Sequence, residues 1–165
     1  MEGTPEATRV AVVTVSDRSF AGSRADATGP VLRDAFVAQG FEASLSIVPD
    51  DVHEITRAID AAIAWGARVV VTTGGTGIGP RDVTPEATAP LLRRELPGIP
   101  ELLRMRDAHA SPLVALSRGL AGVTGHATPA MVINLPGSES AVASAVDVLP
   151  RLLEHAIAQL DGTDH

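Results

Sequence analysis

The densest chemical signal in the chain is Thr72-Thr73-Gly74-Gly75-Thr76-Gly77-Ile78-Gly79-Pro80-Arg81-Asp82-Val83-Thr84-Pro85-Glu86. Gly74, Gly75, Gly77 and Gly79 fall within six positions and follow a run of β-branched residues. Backbone without Cβ atoms lets N–H groups approach an anion closely. Arg81 can grip a phosphate or carboxylate through two parallel hydrogen bonds. Asp82 is an oxygen ligand of the kind Mg²⁺ prefers, and Thr73 and Thr76 place hydroxyls beside the glycines. Thr84, as an N-cap with Pro85 at the first helical position, would open a helix whose N–H groups and positive dipole end lie nearby. The chemistry is that of holding a phosphorylated ligand, with a metal ion. The competing reading is a glycine turn whose Asp82 only caps a helix.

Three shorter segments could join this loop. Asp50 and Asp51 stand between a strand and a helix. Either is a natural N-cap, and one of them could share a metal with Asp82. Two carboxylates with Mg²⁺ stabilise charge in phosphoryl and nucleotidyl transfer. Asn134-Leu135-Pro136-Gly137-Ser138 closes a strand and opens a helix. There the Asn134 amide could read a heterocycle edge, and Ser138 with the helix N-terminus after Pro136-Gly137 could hold a phosphate. A plain capped turn is the alternative. Ser16 and Asp17, with Arg18, end the first strand and are ligand contacts by position.

Other polar residues carry less. His53, His109, His126, His155 and His165 show no metal-binding spacing. Ser117 and Ser138 lack a G-x-S-x-G context, so a hydrolase triad is unsupported. Arg93-Arg94 and Arg104-Met105-Arg106 are expected on solvated helix faces, with receipt of an anionic substrate as the alternative, and Trp65 in core or subunit-contact packing.

These residues need elements to position them. Val10–Val15, Glu42–Val48, Arg68–Thr73, Leu120–Val123 and Ala130–Leu135 are strand candidates, because short apolar β-branched runs suit strands buried on both faces. Helices are expected from Pro30 to about Gln39, after Asp50-Asp51 with Val52, Ile55, Ile59 and Ile63 on one stripe, after Thr84, over Glu101–Ala110, and from Ser138 to Leu160. Ser19–Thr28 is expected to be loop, Pro97–Pro100 to interrupt the helical pattern, and Pro150 to split or kink the last helix. Asp161–His165 is expected to fray. Strands alternating with helices over short connections describe an open α/β sheet, whose ligands bind beyond the carboxyl ends of the strands.

Composition narrows the chemistry. The 165 residues fit one domain, expected over 1–165 with its core at about 9–160. There is no cysteine, which excludes a disulfide scaffold, a Cys-ligated zinc site and a thiol nucleophile. All 13 basic residues are arginine, which excludes a Walker lysine and a lysine Schiff base. A net charge of −7 and 2% aromatic residues argue against nucleic-acid binding. No apolar run reaches the roughly 20 residues that span a bilayer, and Met1–Thr8 lacks a signal-peptide pattern. A cytoplasmic protein without nucleic-acid or membrane partners is the expectation.

Thr72–Glu86, together with Ser16-Asp17-Arg18, Pro49-Asp50-Asp51, Ser117-Arg118-Gly119 and Asn134–Gly137, resembles the MogA/MoaB family of molybdenum cofactor biosynthesis proteins, which includes the matching domain of gephyrin. The resemblance covers about Arg9 to Leu160. It implies a three-layer α/β/α fold with a mostly parallel central sheet, here with an antiparallel strand near the C-terminal edge. It also implies a homotrimer, a hexamer in some members, and a molybdenum-insertion protein as partner. Molybdopterin and ATP are the implied substrates and Mg²⁺ the implied cofactor. The molybdopterin phosphate is adenylylated and pyrophosphate released. Asp50 and Asp82 map onto the family's two catalytic, metal-holding aspartates, and Gly74–Gly79 onto its pterin and phosphate loop. A non-catalytic molybdopterin-binding or assembly module is the alternative within the family; a generic nucleotide-binding domain is weaker, lacking both a lysine and G-x-G-x-x-G. Many relatives continue N-L-P-G-S-P-K, where this chain has Glu139-Ser140 after Ser138.

Overall fold

In the computed structural model, which describes residues 7–163, six strands form one sheet in the order β2-β1-β3-β6-β5-β4. His165 and most of Met1–Thr8 lie outside the described residues. The strands are β1 (Arg9–Val15), β2 (Glu42–Val48), β3 (Val69–Thr73), β4 (Leu92–Glu95), β5 (Ala121–Thr124) and β6 (Met131–Leu135). β2, β1, β3 and β6 run parallel. β5 is antiparallel to β6, and β4 is antiparallel to β5.

Alternation along the central strands sorts the core into two layers. Val10 and Val12 of β1 and Val69 and Val71 of β3 face one side; Ala11, Val13, Val15 and Val70 face the other. On the first side lie α2 (Gly29–Ala38), α5 (Gly98–Asp107) and α6 (Glu139–Leu160), contributing Leu32, Phe36, Leu103, Leu149 and Leu153. On the second lie α3 (Val52–Ala64) and α4 (Thr84–Thr88), contributing Ile55, Ile59, Ile63 and Ala87. The expected three-layer α/β/α sandwich is therefore present. The chain leaves β1 over one face through α2 and returns over the other through α3, so the strand order reverses between β1 and β3. Such a reversal opens a crevice at the carboxyl edge of the sheet.

Several expectations need correction. Arg93-Arg94 belong to edge strand β4, not to a helix face. The start of the expected Ser19–Thr28 loop is a single turn of helix, α1 (Asp17–Phe20), capped by Ser16 Oγ accepting from Ser19 N at 3.2 Å. α5 begins at Gly98, inside the segment expected to interrupt it, because prolines are tolerated in a first turn whose N–H groups lack intrahelical partners. α6 is not split at Pro150. The proline forgoes one N–H bond, but Leu149, Pro150 and Leu153 are all buried, and packing holds the helix together.

Candidate functional site

The carboxyl ends of β1, β2, β3 and β6 converge on a cleft of about 1040 Å³. Of the sequence-predicted site residues, Ser16, Asp17, Asp50, Thr73, Gly74, Gly75, Thr76, Gly77, Arg81, Asp82, Pro136, Gly137 and Ser138 line it. Gly79 and Asn134 do not.

The glycine loop owes its path to two positive φ angles, 106° at Gly74 and 67° at Gly75, which side-chain-bearing residues rarely adopt. Gly74 also presses against the Val15 carbonyl, leaving no room for a Cβ. The consequence is a row of unused donors: among the described residues, no acceptor meets the N–H groups of Gly75, Thr76 or Gly77. Those donors suit an anion.

The two candidate carboxylates flank this loop. A Cβ placed on Gly75 would lie 3.2 Å from Asp50 Oδ1, and one on Gly77 would lie 2.8 Å from Asp82 Oδ2. Asp82 Oδ2 accepts from Gly79 N at 2.8 Å, so Gly79 holds the aspartate rather than a ligand. Asp82 does not cap a helix, and Thr84 is no N-cap either. The cap of α4 is Val83, and Thr84 is its buried first residue, its hydroxyl donating to the Gly74 carbonyl at 2.9 Å.

Asp50 and Asp51 separate cleanly. Asp51 caps α3, its carboxylate accepting from Glu54 N at 3.0 Å. Asp50 turns to Asp17. Its Oδ2 accepts from Asp17 N at 2.8 Å, while Asp50 N donates to Asp17 Oδ1 at 3.0 Å. Arg81 grips the same Asp17 with two 3.0 Å hydrogen bonds from Nε and Nη2. Arg81 therefore faces a protein carboxylate where a ligand anion was expected. The Arg81 hydrogen bond, helped by Asp50 N–H, holds the Asp17 carboxyl below its usual range. Burial first, then the facing Asp17 and Asp82 carboxylates, push Asp50 upward.

Mg²⁺ fits these residues. No hydrogen bond among the described residues reaches Asp50 Oδ1 or Asp82 Oδ1, so each carboxylate keeps an oxygen for a cation. Six carboxylates but only three guanidinium groups line the cleft, an excess of negative charge that a divalent ion would offset. One or two carboxylates plus substrate phosphates are an ordinary Mg²⁺ ligand set.

Asn134 is corrected. It is 3% exposed, its Nδ2 donates to Thr72 Oγ1 and Thr88 Oγ1 at 3.0 Å each, and its Oδ1 accepts from Leu120 N at 3.1 Å. The amide ties β6 to β3, α4 and the approach to β5, with nothing left for a heterocycle. Asn134→Ala should cost on the order of 2–3 kcal/mol of stability, because buried partners lose their hydrogen bonds; denaturant unfolding measures it. Ser138 is the N-cap of α6, accepting from Ala141 N at 3.2 Å, while still lining the cleft.

Sequence reasoning missed Asp26, and it named Arg118 only within the family resemblance, with no role. Asp26 organises the loop before α2, accepting from Thr14 Oγ1 at 2.7 Å, Thr28 N at 3.1 Å and Gly29 N at 3.0 Å. Arg118 ties the far side of the glycine loop to Glu86 in the first turn of α4. The Arg118 hydrogen bond pulls the Glu86 carboxyl below its ordinary 4.5. A depressed acid stabilises the fold above its unfolded value and stops doing so as pH falls through its folded value. The small melting-temperature advantage of wild type over Glu86→Gln should therefore shrink as pH drops below 4.5.

Comparison with known proteins bears on this cleft. Residues 11–155 match the family model described as "Probable molybdopterin binding domain". The chain belongs to this family. Within it, the chain is 41% identical over 155 residues to the molybdenum cofactor biosynthesis bifunctional protein of Synechococcus elongatus, covering 93% of this chain and 48% of that one. The chain thus spans about half the length of that relative. It is 37% identical over 158 residues to the molybdopterin adenylyltransferase of Pyrococcus furiosus, covering 92% of this chain and 93% of that one. The crystal structure of the tungsten cofactor synthesizing protein MoaB from Pyrococcus furiosus superposes with a TM-score of 0.87 at 34% identity, over 95% of this chain and 99% of that one. The MogA/MoaB resemblance carried by Thr72–Glu86 and the α/β/α fold it implied both hold.

Proposed function

We propose that this chain acts in molybdenum cofactor biosynthesis as a molybdopterin adenylyltransferase. The observation that carries the reading is the placement of Asp50 and Asp82 on either side of Gly75–Gly77, with an open oxygen on each and undonated backbone N–H groups between them. A family relative named for this activity is matched over nearly its whole length.

A terminal phosphate of molybdopterin is held by the N–H groups of Gly75, Thr76 and Gly77. An oxygen of that phosphate forms a bond to the α-phosphorus of ATP, and the bond from that phosphorus to the bridging oxygen breaks, releasing pyrophosphate. No protein nucleophile is needed, consistent with a chain that has no cysteine. Asp50 and Asp82 would hold Mg²⁺, which supplies positive charge against the phosphates. Asp17, fixed by Arg81, orients Asp50 through the paired backbone contacts.

The test mixes purified protein, molybdopterin, ATP and Mg²⁺ and measures adenylylated molybdopterin and pyrophosphate. Stoichiometric appearance of both supports the enzyme. Tight molybdopterin binding with no product, at excess Mg-ATP, supports a non-catalytic binding module. Asp50→Asn sharpens the result. Because Asp51 and not Asp50 caps α3, melting should stay near wild type, while the adenylylation rate falls on the order of a hundredfold or more. Molybdopterin affinity should persist in part through the glycine-loop N–H groups.

A further inference from the structure

Ser117-Arg118-Gly119 belongs to the family resemblance, and the cleft chemistry gives Arg118 no task. Arg118 approaches the glycine loop from outside the cleft. Its backbone N donates to the Thr76 carbonyl at 2.8 Å. Its Nε donates to the Gly77 carbonyl at 2.8 Å, and its Nη2 to the Asp82 carbonyl at 2.9 Å. Its Nη1 pairs with Glu86 Oε1, and Nη2 also reaches Glu86 Oε2 at 3.4 Å. One edge of the planar guanidinium thus holds carbonyls at both ends of the Gly77–Asp82 excursion, and the end of the fork holds the first turn of α4.

The approach is itself anchored. Leu120 N donates to the buried Asn134 Oδ1, and Asn134 N donates to the Leu120 carbonyl at 2.8 Å. A Cβ at Gly119 would sit 2.7 Å from the Asn134 carbonyl oxygen, so only glycine lets the segment pass this closely. Inside the excursion Asp82 N donates to the Gly79 carbonyl at 3.0 Å and Arg81 pairs with Asp17, while the Arg118 contacts fasten its two ends to α4. Ile78 at its tip is 70% exposed, and two of its six residues are glycine.

We propose that Arg118 is a positioning residue for Asp82, setting the direction of its carboxylate by holding the Gly77 and Asp82 carbonyls on the α4 turn. This rests on the reading of Asp82 as the metal-side carboxylate, but its first test needs no metal. Gly79 N donates to Asp82 Oδ2, so the Gly79 amide reports where that carboxylate is. Lysine cannot span two carbonyls and a carboxylate with one planar fork, which makes Arg118→Lys the informative variant. Its Gly79 amide should exchange with solvent on the order of tenfold faster than wild type. The Gly74 amide, bonded to the Leu135 carbonyl at 2.9 Å, should be unchanged. Mn²⁺ affinity in the presence of ATP, followed by water-proton relaxation, should weaken by about tenfold, the scale seen when a residue behind a metal ligand is lost. Glu86→Gln keeps both carbonyl contacts and should show the same selective change at smaller size.

A merely structural role would lower the melting temperature and leave the Gly79-to-Gly74 exchange ratio at its wild-type value; that result overturns the proposal. A wild-type protein that binds no Mn²⁺ would instead defeat the metal reading of Asp82, while the Gly79 exchange result still decides whether Arg118 positions it.

Discussion

Asp82→Asn should slow Mg²⁺-dependent adenylylation by about a thousandfold, a loss of about 4 kcal/mol of transition-state stabilisation, in a protein that melts close to the wild-type temperature. The fold should tolerate the change because what Asp82 does structurally an amide oxygen can also do. Its side chain accepts from Gly79 N, and its backbone carbonyl accepts from Arg118 Nη2. What is lost is the negative charge of the carboxylate beside Gly77. Asp50 cannot replace it, since that group already lies against the Asp17 carboxylate on the other flank of the loop. Initial rates at saturating Mg-ATP and a thermal melt on the same preparation make the measurement. A folded variant turning over within about tenfold of wild type would remove Asp82 from the metal site.

Gly74→Ala should have the largest effect on stability, on the order of 3–5 kcal/mol, enough to consume much of a typical domain's margin. Two costs add at this position. A φ of 106° strains any residue with a Cβ. The new methyl would also strike the Val15 carbonyl, and that backbone is fixed by the pairing of β1 with β3 at Thr14 and Thr73. Gly40→Ala is the control. Its φ of 90° carries the same strain, but nothing lies within 4 Å of its Cβ. It should cost only about 1 kcal/mol. Equilibrium denaturant unfolding of both variants tests the difference. Equal costs would show that the contact with β1 contributes nothing.

The sequence by itself determined the layers and the neighbourhood of the site. β1, β3 and β6 were legible because short, mostly apolar, β-branched runs suit strands buried on both faces, and α3 because its core stripe recurs every three or four residues. Since ligands in such sheets bind past the strands' carboxyl ends, the sequence alone puts Ser16, Asp50, Gly74 and Pro136 at one edge. β4 escaped notice because a four-residue edge strand, Leu92-Arg93-Arg94-Glu95, faces water and has no apolar pattern to read.

Only the tertiary structure decided which polar group meets which. Adjacent aspartates 50 and 51 look interchangeable as caps. The fold gives the cap to Asp51 and turns Asp50 toward Asp17, 33 positions away. Arg81, free in the sequence, is claimed by Asp17, 64 positions away, and Asn134, which looked like a ligand contact, is buried between Thr72 and Thr88. Arg118 reaches a loop 41 positions before it. The physical reason is one of range. Hydrophobic periodicity is local, and it records which face of each element is buried. A hydrogen bond between distant side chains depends on strand order, register and close backbone approaches such as those at Gly74 and Gly119, and these exist only once the sheet is assembled.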